Sequence, residues 1–220
     1  MVASELISNS IAPLKTSDTV QQAMDRMNEF KLFHLPIVNE SQFLGLLDED
    51  DLHEVRDTET SIGSLSLKVL NPFVFQDAHV YDVIRLFNQL QLSMVPVLDY
   101  KKNYLGMISV HNVLEYAAQL FAVNEPGGII VLEISNRNNS LSHMAQIVEA
   151  DNAQILSSYV QAYPDSTKLE VTLKINKTEI SSIRASFERY DYEVKAVYNS
   201  TAADDGTADR YNSLMNYLNV

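Results

Sequence analysis

The sequence predicts an α+β chain of 220 residues in which a tandem β-α-β-β-α repeat precedes a βαββαβ unit. Three observations predict it. Residues 11–56 and 71–117 repeat one another, Pro126-Gly127-Gly128 punctuates the chain soon after, and the hydrophobic periodicity beyond that point follows a different order.

The repeat is read from aligned residues. At an offset of 60, Val20 meets Val80, Asn28 meets Asn88, Leu32 meets Leu92 and Pro36 meets Pro96. At an offset of 61, Leu44-Gly45 meets Leu105-Gly106 and Glu54 meets Glu115. One extra residue in the turn Asp99–Asn103, relative to Asn39–Gln42, accounts for the change. Each copy opens with a helical stripe at i, i+3, i+4 and i+7: Val20, Ala23, Met24 and Met27, then Val80, Val83, Ile84 and Phe87. Asp18, with Gln21 three residues on, reads as a variant capping box. The runs Leu35–Val38 and Val95–Leu98 are short strands, and a proline inside each predicts an edge or first position, since proline cannot donate to the ladder. Phe43–Leu47 and Tyr104–Ile108 supply the second strands, and helices follow at about 48–56 and 110–122. Lead-in segments at Ser4–Ile7 and around Ile62–Phe75 complete the unit.

Beyond Gly128 the pattern changes. Ile129–Ser135 is an apolar strand, and Leu141, Met144, Ile147 and Val148 form a helical stripe. Ala153–Ala162 and Lys168–Ile175 read as strands joined around Tyr163-Pro164-Asp165, with Leu169, Val171, Leu173 and Ile175 on one face. Ile180, Ile183, Phe187 and Tyr190 give a second helix, and Tyr192–Tyr198 a last strand. The order is that of a ferredoxin-like split β-α-β unit. Residues 200–209 read as an acidic tether, and Tyr211, Leu214, Met215 and Leu218 as a short terminal amphipathic stripe.

Composition excludes several functions. With no cysteine there are no disulfides, thiolate metal sites or cysteine nucleophiles. The six glycines fit neither a dinucleotide fingerprint, nor a P-loop, nor a nucleophile elbow. The net charge of −13 argues against nucleic acid and anionic membrane, because both need a basic surface. Residues 1–124 and 125–220 carry eight Lys and Arg each against sixteen and thirteen acids, so neither half offers such a patch. No apolar run reaches the roughly 18 residues of a membrane span, and the first residues lack a signal-peptide layout, so a cytoplasmic protein is expected. The five histidines are scattered without metal-ligand spacing, so no metal and no catalytic site are expected.

The repeat resembles a CBS domain, and two in register resemble a tandem CBS pair. Leu35-Pro36-Ile37-Val38 with Gly45-Leu46-Leu47-Asp48-Glu49-Asp50-Asp51 carries the likeness in the first copy. Val95-Pro96-Val97-Leu98 with Gly106-Met107-Ile108-Ser109-Val110-His111-Asn112 carries it in the second. Residues 129–199 resemble an ACT domain, through the loop Asn136-Arg137-Asn138-Asn139-Ser140-Leu141 followed by Met144 and Ile147. Asn138-Asn139 stands where many ACT domains have Pro-Gly. The combination resembles the acetoin-utilization type of CBS–ACT protein. It implies CBS repeats at 1–60 and 61–123, a linker at 124–128, an ACT-like domain at 129–199 and a tail at 200–220.

The resemblance implies a ligand cleft between the repeats. A Ser or Thr three residues after the glycine would touch phosphate, and an Asp three further on would accept hydrogen bonds from a ribose diol. Carried onto this chain, Asp51 keeps the ribose position of copy one, with Asp48 at its phosphate position. Ser109 keeps the phosphate position of copy two, with Asn112 at its ribose position. His34, Leu35, Met94 and Val95 would line the base pockets, and Arg137 and Asn139 are the effector-loop candidates. Other readings of the same residues stay open: acids favour a helix first turn, and Ser and Asn cap helices. The function implied is a non-enzymatic sensor of an adenosine-containing molecule of the AMP or S-adenosylmethionine type. No cofactor is required, and the partners are a second copy of the chain and an unknown protein target. The alternative is a ligand-free dimeric scaffold with degenerate binding motifs.

Overall fold

The computed structural model of the protein describes residues 1–8, 10–53, 55–65, 71–135, 140–163 and 167–198. These residues form two compact units that divide between Ala117 and Ala118.

In the first unit, a 3₁₀ turn at Ala3–Leu6 precedes α1 (Val20–Phe30), β1 (His34–Asn39), β2 (Gln42–Asp48) and α2 (Glu49–His53). A second 3₁₀ turn at Ile62–Ser64 precedes β3 (Val74–Phe75), α3 (Val80–Leu90), β4 (Met94–Leu98), β5 (Tyr104–Ser109) and α4 (Val110–Leu120). The β-α-β-β-α repeat is therefore present, though α2 is shorter than the sequence predicts. The cap of α1 also differs by one residue. Thr19, not Asp18, is the N-cap: its Oγ1 accepts from Gln22 N–H at 3.2 Å, and Gln22 Oε1 accepts from Thr19 N–H at 3.0 Å. Asp18 instead accepts from Lys15 N–H and pairs with Arg26. Of the second stripe, Val80 and Val83 are buried, whereas Ile84 faces out.

The strands of the two copies share their irregularities. β1 pairs antiparallel with β2, and β4 with β5. Each pair carries a bulge, between Ile37 and Val38 and between Val97 and Leu98. Leu44 and Leu105 are the extra residues, left without a cross-strand partner and turned outward. Gly45 and Gly106, opposite Ile37 and Val97, have φ of 151° and 150°, a region that L side chains rarely adopt. The two glycines thus sit inside strands rather than in turns. β4 is the middle strand of β3-β4-β5, against the edge position that Pro96 predicts. The reason it is tolerated is local: β3 pairs only with Val97 and Leu98, so the flank beside Pro96 has no ladder to donate to.

The lead-in segments are exchanged between the copies. Ala3 and Ser4 N–H donate to the carbonyls of Ala78 and Gln76, next to the second helix. Ile62 and Gly63 N–H donate in the same way to Asp18 and Thr16, next to the first. Two cores result. Leu14, Val20, Ala23, Met27, Leu35, Leu47 and Ile62 build one, and Ala3, Leu6, Val80, Val83, Met94, Val95 and Ile108 are among those building the other.

The second unit contains β6 (Gly128–Ser135), α5 (Leu141–Glu149), β7 (Ile155–Ala162), β8 (Lys168–Ile175), α6 (Ser181–Arg189) and β9 (Glu193–Tyr198). The sheet order is β7-β8-β6-β9 with every neighbouring pair antiparallel, which is a split β-α-β arrangement. The alternation read in β8 holds, with Val171, Leu173 and Ile175 facing a core completed by Ile130, Leu132, Met144, Ile183 and Phe187. Leu141 and Tyr190, at the ends of their stripes, are exposed. The turn at Pro164-Asp165, the tether and the terminal stripe lie outside the described residues.

Candidate functional site

Two helix ends shape the candidate site. α1 and α3 both stop at a residue in the left-handed conformation, Lys31 at φ 54° and Gln91 at φ 52°. Such a C-cap turns the chain sharply from helix towards strand. The following residues, Leu32-Phe33 and Leu92-Ser93, meet between the two repeats of the first unit. With Ser8, Ser10 and Ile11 from the lead-in and Ser109–Asn112 and Glu115 from the start of α4, they line a cleft of about 820 Å³. Phe33 lies on its wall and is 62% exposed.

Ser109 and Asn112 both line this cleft and are engaged with one another. Asn112 Oδ1 accepts from Ser109 N–H at 3.0 Å and from its hydroxyl at 2.8 Å, while Ser109 Oγ accepts from Asn112 N–H at 3.2 Å. This is a reciprocal cap of α4. Among the described residues, the Asn112 side-chain nitrogen makes no hydrogen bond.

His34 does not line the cleft. It is 7% exposed and ties three elements together. Ser93 Oγ accepts from His34 N–H at 3.0 Å and from Phe33 N–H at 3.1 Å, and Ser93 N–H donates to His34 Nδ1 at 3.3 Å. With Nδ1 accepting, the proton of the neutral ring sits on Nε2, 3.4 Å from Asp48 Oδ2. Burial lowers the His34 pKa, and the Asp48 and Asp50 carboxylates oppose that shift.

Leu35, Met94 and Val95 are fully buried, Leu35 in the first core and the other two in the second, away from the cleft wall. Asp51 is half-buried on α2 and is not part of the cleft wall. Nor are Asp48, Glu49 and Asp50. Asp48 accepts from Asp50 N–H at 3.0 Å, a first-turn role. In the repeat, the acidic run corresponds to Ser109–Asn112, so it flanks the equivalent position of the other copy. Glu54 and residues 66–70 lie outside the described residues. Arg137 and Asn139 lie outside them too.

The charge of the described cleft therefore differs from the chain average. Its ionisable side chains are Lys31, His111 and Glu115, and the last two pair at 3.1 Å. Sequence reasoning missed Lys31, Gln91, Ser93, Ser8 and Ser10. The signal was present in part: Lys31 and Gln91 are equivalent in the repeat and each follows the last turn of a helical stripe. Among the described residues, no group of three or more His, Asp or Glu is placed to hold a metal ion. Among them, too, no helix is long and apolar enough to cross a membrane.

Comparison with known proteins adds the following. Residues 3–57 and 68–119 each match the CBS domain family. The chain is 18% identical over 150 residues to the inosine-5'-monophosphate dehydrogenase of Methanocaldococcus jannaschii, covering 68% of this chain and 30% of that protein. The chain thus spans about a third of the length of that curated relative. Among solved structures, a CBS domain pair/ACT domain protein from Thermotoga maritima is similar at 21% identity and a TM-score of 0.48, over 53% of this chain and 96% of that one. The structure of CBSX2 in complex with AMP is similar at 19% identity and a TM-score of 0.47, over 54% and 96%.

Proposed function

We propose, from the tandem CBS-domain pair at residues 3–57 and 68–119, that this chain is a non-enzymatic regulatory module which senses an adenosine-containing small molecule. CBS-domain proteins generally bind adenosyl ligands as regulatory sensors. The observation that carries the reading here is the 820 Å³ cleft between the repeats, which has Lys31 on its wall and none of the four acids at 48–51. That volume suits a nucleoside-sized ligand. Lys31 offers a charge to a phosphate, Phe33 an aromatic face to a base, and Asn112 an amide donor to a hydroxyl. The chain's net −13 favours AMP or S-adenosylmethionine over a more highly charged nucleotide. Binding shifts the module only as far as the ligand prefers one arrangement over another.

The βαββαβ unit is read as an ACT-type domain that receives or passes on this signal, at 129–199, with CBS repeats at 1–60 and 61–123. A homodimer in the cytoplasm is part of the same reading. A thermal-shift comparison of AMP and S-adenosylmethionine tests it. A rise in melting temperature that saturates with one of them is expected, and no response to either at millimolar concentration would overturn it.

One observation favours the second reading, a ligand-free dimeric scaffold. α4 has no buried residue and exposes Val110, Leu114 and Leu120. Light scattering that shows a dimer, together with no small-molecule response, would select that reading.

A further inference from the structure

The second unit has its own small cavity, in the groove between α5 and α6. It measures about 110 Å³ and is lined by His143, Gln146, Ile147, Ala150, Ser186, Arg189 and Tyr190. That is room for roughly three to four water molecules at about 30 Å³ each, or one small polyatomic ion. In a chain of net −13 the lining contains an arginine and a histidine but, among the described residues, no carboxylate.

The donors along this groove lack protein acceptors of matching strength. Arg189 Nη2 donates to Ser186 Oγ at 3.3 Å, and its guanidinium carbon lies 5.6 Å from the centre of the Tyr190 ring. Neither contact neutralises the guanidinium, in contrast to Arg184 one turn earlier, which pairs with Glu188 at 2.8 Å. The Gln146 side-chain amide makes no hydrogen bond among the described residues, and the Ser186 hydroxyl accepts without donating. His143 Nδ1 lies 2.9 Å from Tyr192 Oη. Burial raises the Tyr192 pKa.

We propose that this groove is an oxyanion-binding site of the phosphate class, with Arg189, Gln146 and Ser186 as its donors. Arg189 supplies the charge and a planar fork that can hold two oxygens of one anion. The neutral donors complete the shell, and Tyr190 forms one side of the cavity. The site lies within the second unit and does not depend on whether the first unit binds an adenosyl ligand.

The test uses the full chain and inorganic phosphate as the probe. Amide chemical shifts are followed by nuclear magnetic resonance during titration with phosphate, and with chloride at matched ionic strength. Saturable shifts at Gln146, Ser186 and Arg189 are expected with phosphate alone. Arg189→Gln, at an exposed position, should leave the fold intact and weaken binding by about tenfold or more, as loss of a charge-assisted hydrogen bond does. Shifts that do not saturate, that chloride reproduces, or that persist unchanged in R189Q would overturn the proposal.

Discussion

The Ser93 hydroxyl oxygen accepts from the backbone N–H of His34 at 3.0 Å, so one small side chain of the second repeat fixes the start of β1 in the first. The same oxygen holds Phe33 N–H, and the Ser93 backbone returns a hydrogen bond to the His34 ring. Ser93→Ala removes an acceptor shared by two backbone donors beside a buried ring. A loss of about 1–3 kcal/mol is expected in urea denaturation. An unchanged midpoint would show that water replaces the hydroxyl.

His34 makes stability depend on pH. Burial holds its pKa below the ordinary 6.5. As pH falls, the unfolded chain takes the proton first and the native state resists it. The stabilisation is therefore fully present above the ordinary value and is lost as pH falls from there through the lower native value. Urea midpoints at about pH 7.5 and about pH 5.5, on either side of the ordinary histidine value, should differ more for the wild type than for His34→Gln. Equal differences would show that other groups dominate.

Gly127 precedes β6 at a φ of 155°, and a Cβ there would lie 1.9 Å from the Ile175 carbonyl oxygen. Both the backbone conformation and the neighbouring main chain exclude a side chain. Gly127→Ala should destabilise the second unit by more than the usual cost of about 1 kcal/mol for a point mutation. Hydrogen exchange would report this as faster exchange at β6 and β8. Equal exchange in the two proteins would contradict it.

The reciprocal cap at the start of α1 gives a smaller effect. Thr19→Ala removes the oxygen that accepts from Gln22 N–H. A loss of about 1 kcal/mol is expected by denaturation. Asp18→Ala should cost less, since Asp18 is not the cap, and the reverse ranking would contradict the assignment.

Much of the fold was legible because its signals are local. The Pro36/Pro96 and Gly45/Gly106 pairs placed the strands of each repeat, and the alternation from Leu169 to Ile175 placed the inner face of β8. The exchange of lead-ins was not legible, since nothing near Ala3 or Ile62 says which copy receives it. The lining of the cleft was less legible for a related reason. Leu35, Met94 and Val95 belong to apolar runs, and such a run does not distinguish a cleft wall from a core. Ser109 and Asn112 line the cleft, and the cap that the sequence left open for them is formed between the two, three residues apart. Lys31 and Gln91 carry no motif, and only their left-handed caps bring them to the wall. The four acids from Asp48 to Asp51 dominate the sequence, yet the described cleft is built around the other copy's helix start.

The most direct test of the central reading is a crystal structure grown with saturating AMP or S-adenosylmethionine. Ligand density between Lys31, Phe33 and Asn112, with its phosphate or charged group nearest Lys31, is the expected result. A cleft without ligand under those conditions, or density only at another place on the chain, would contradict the account.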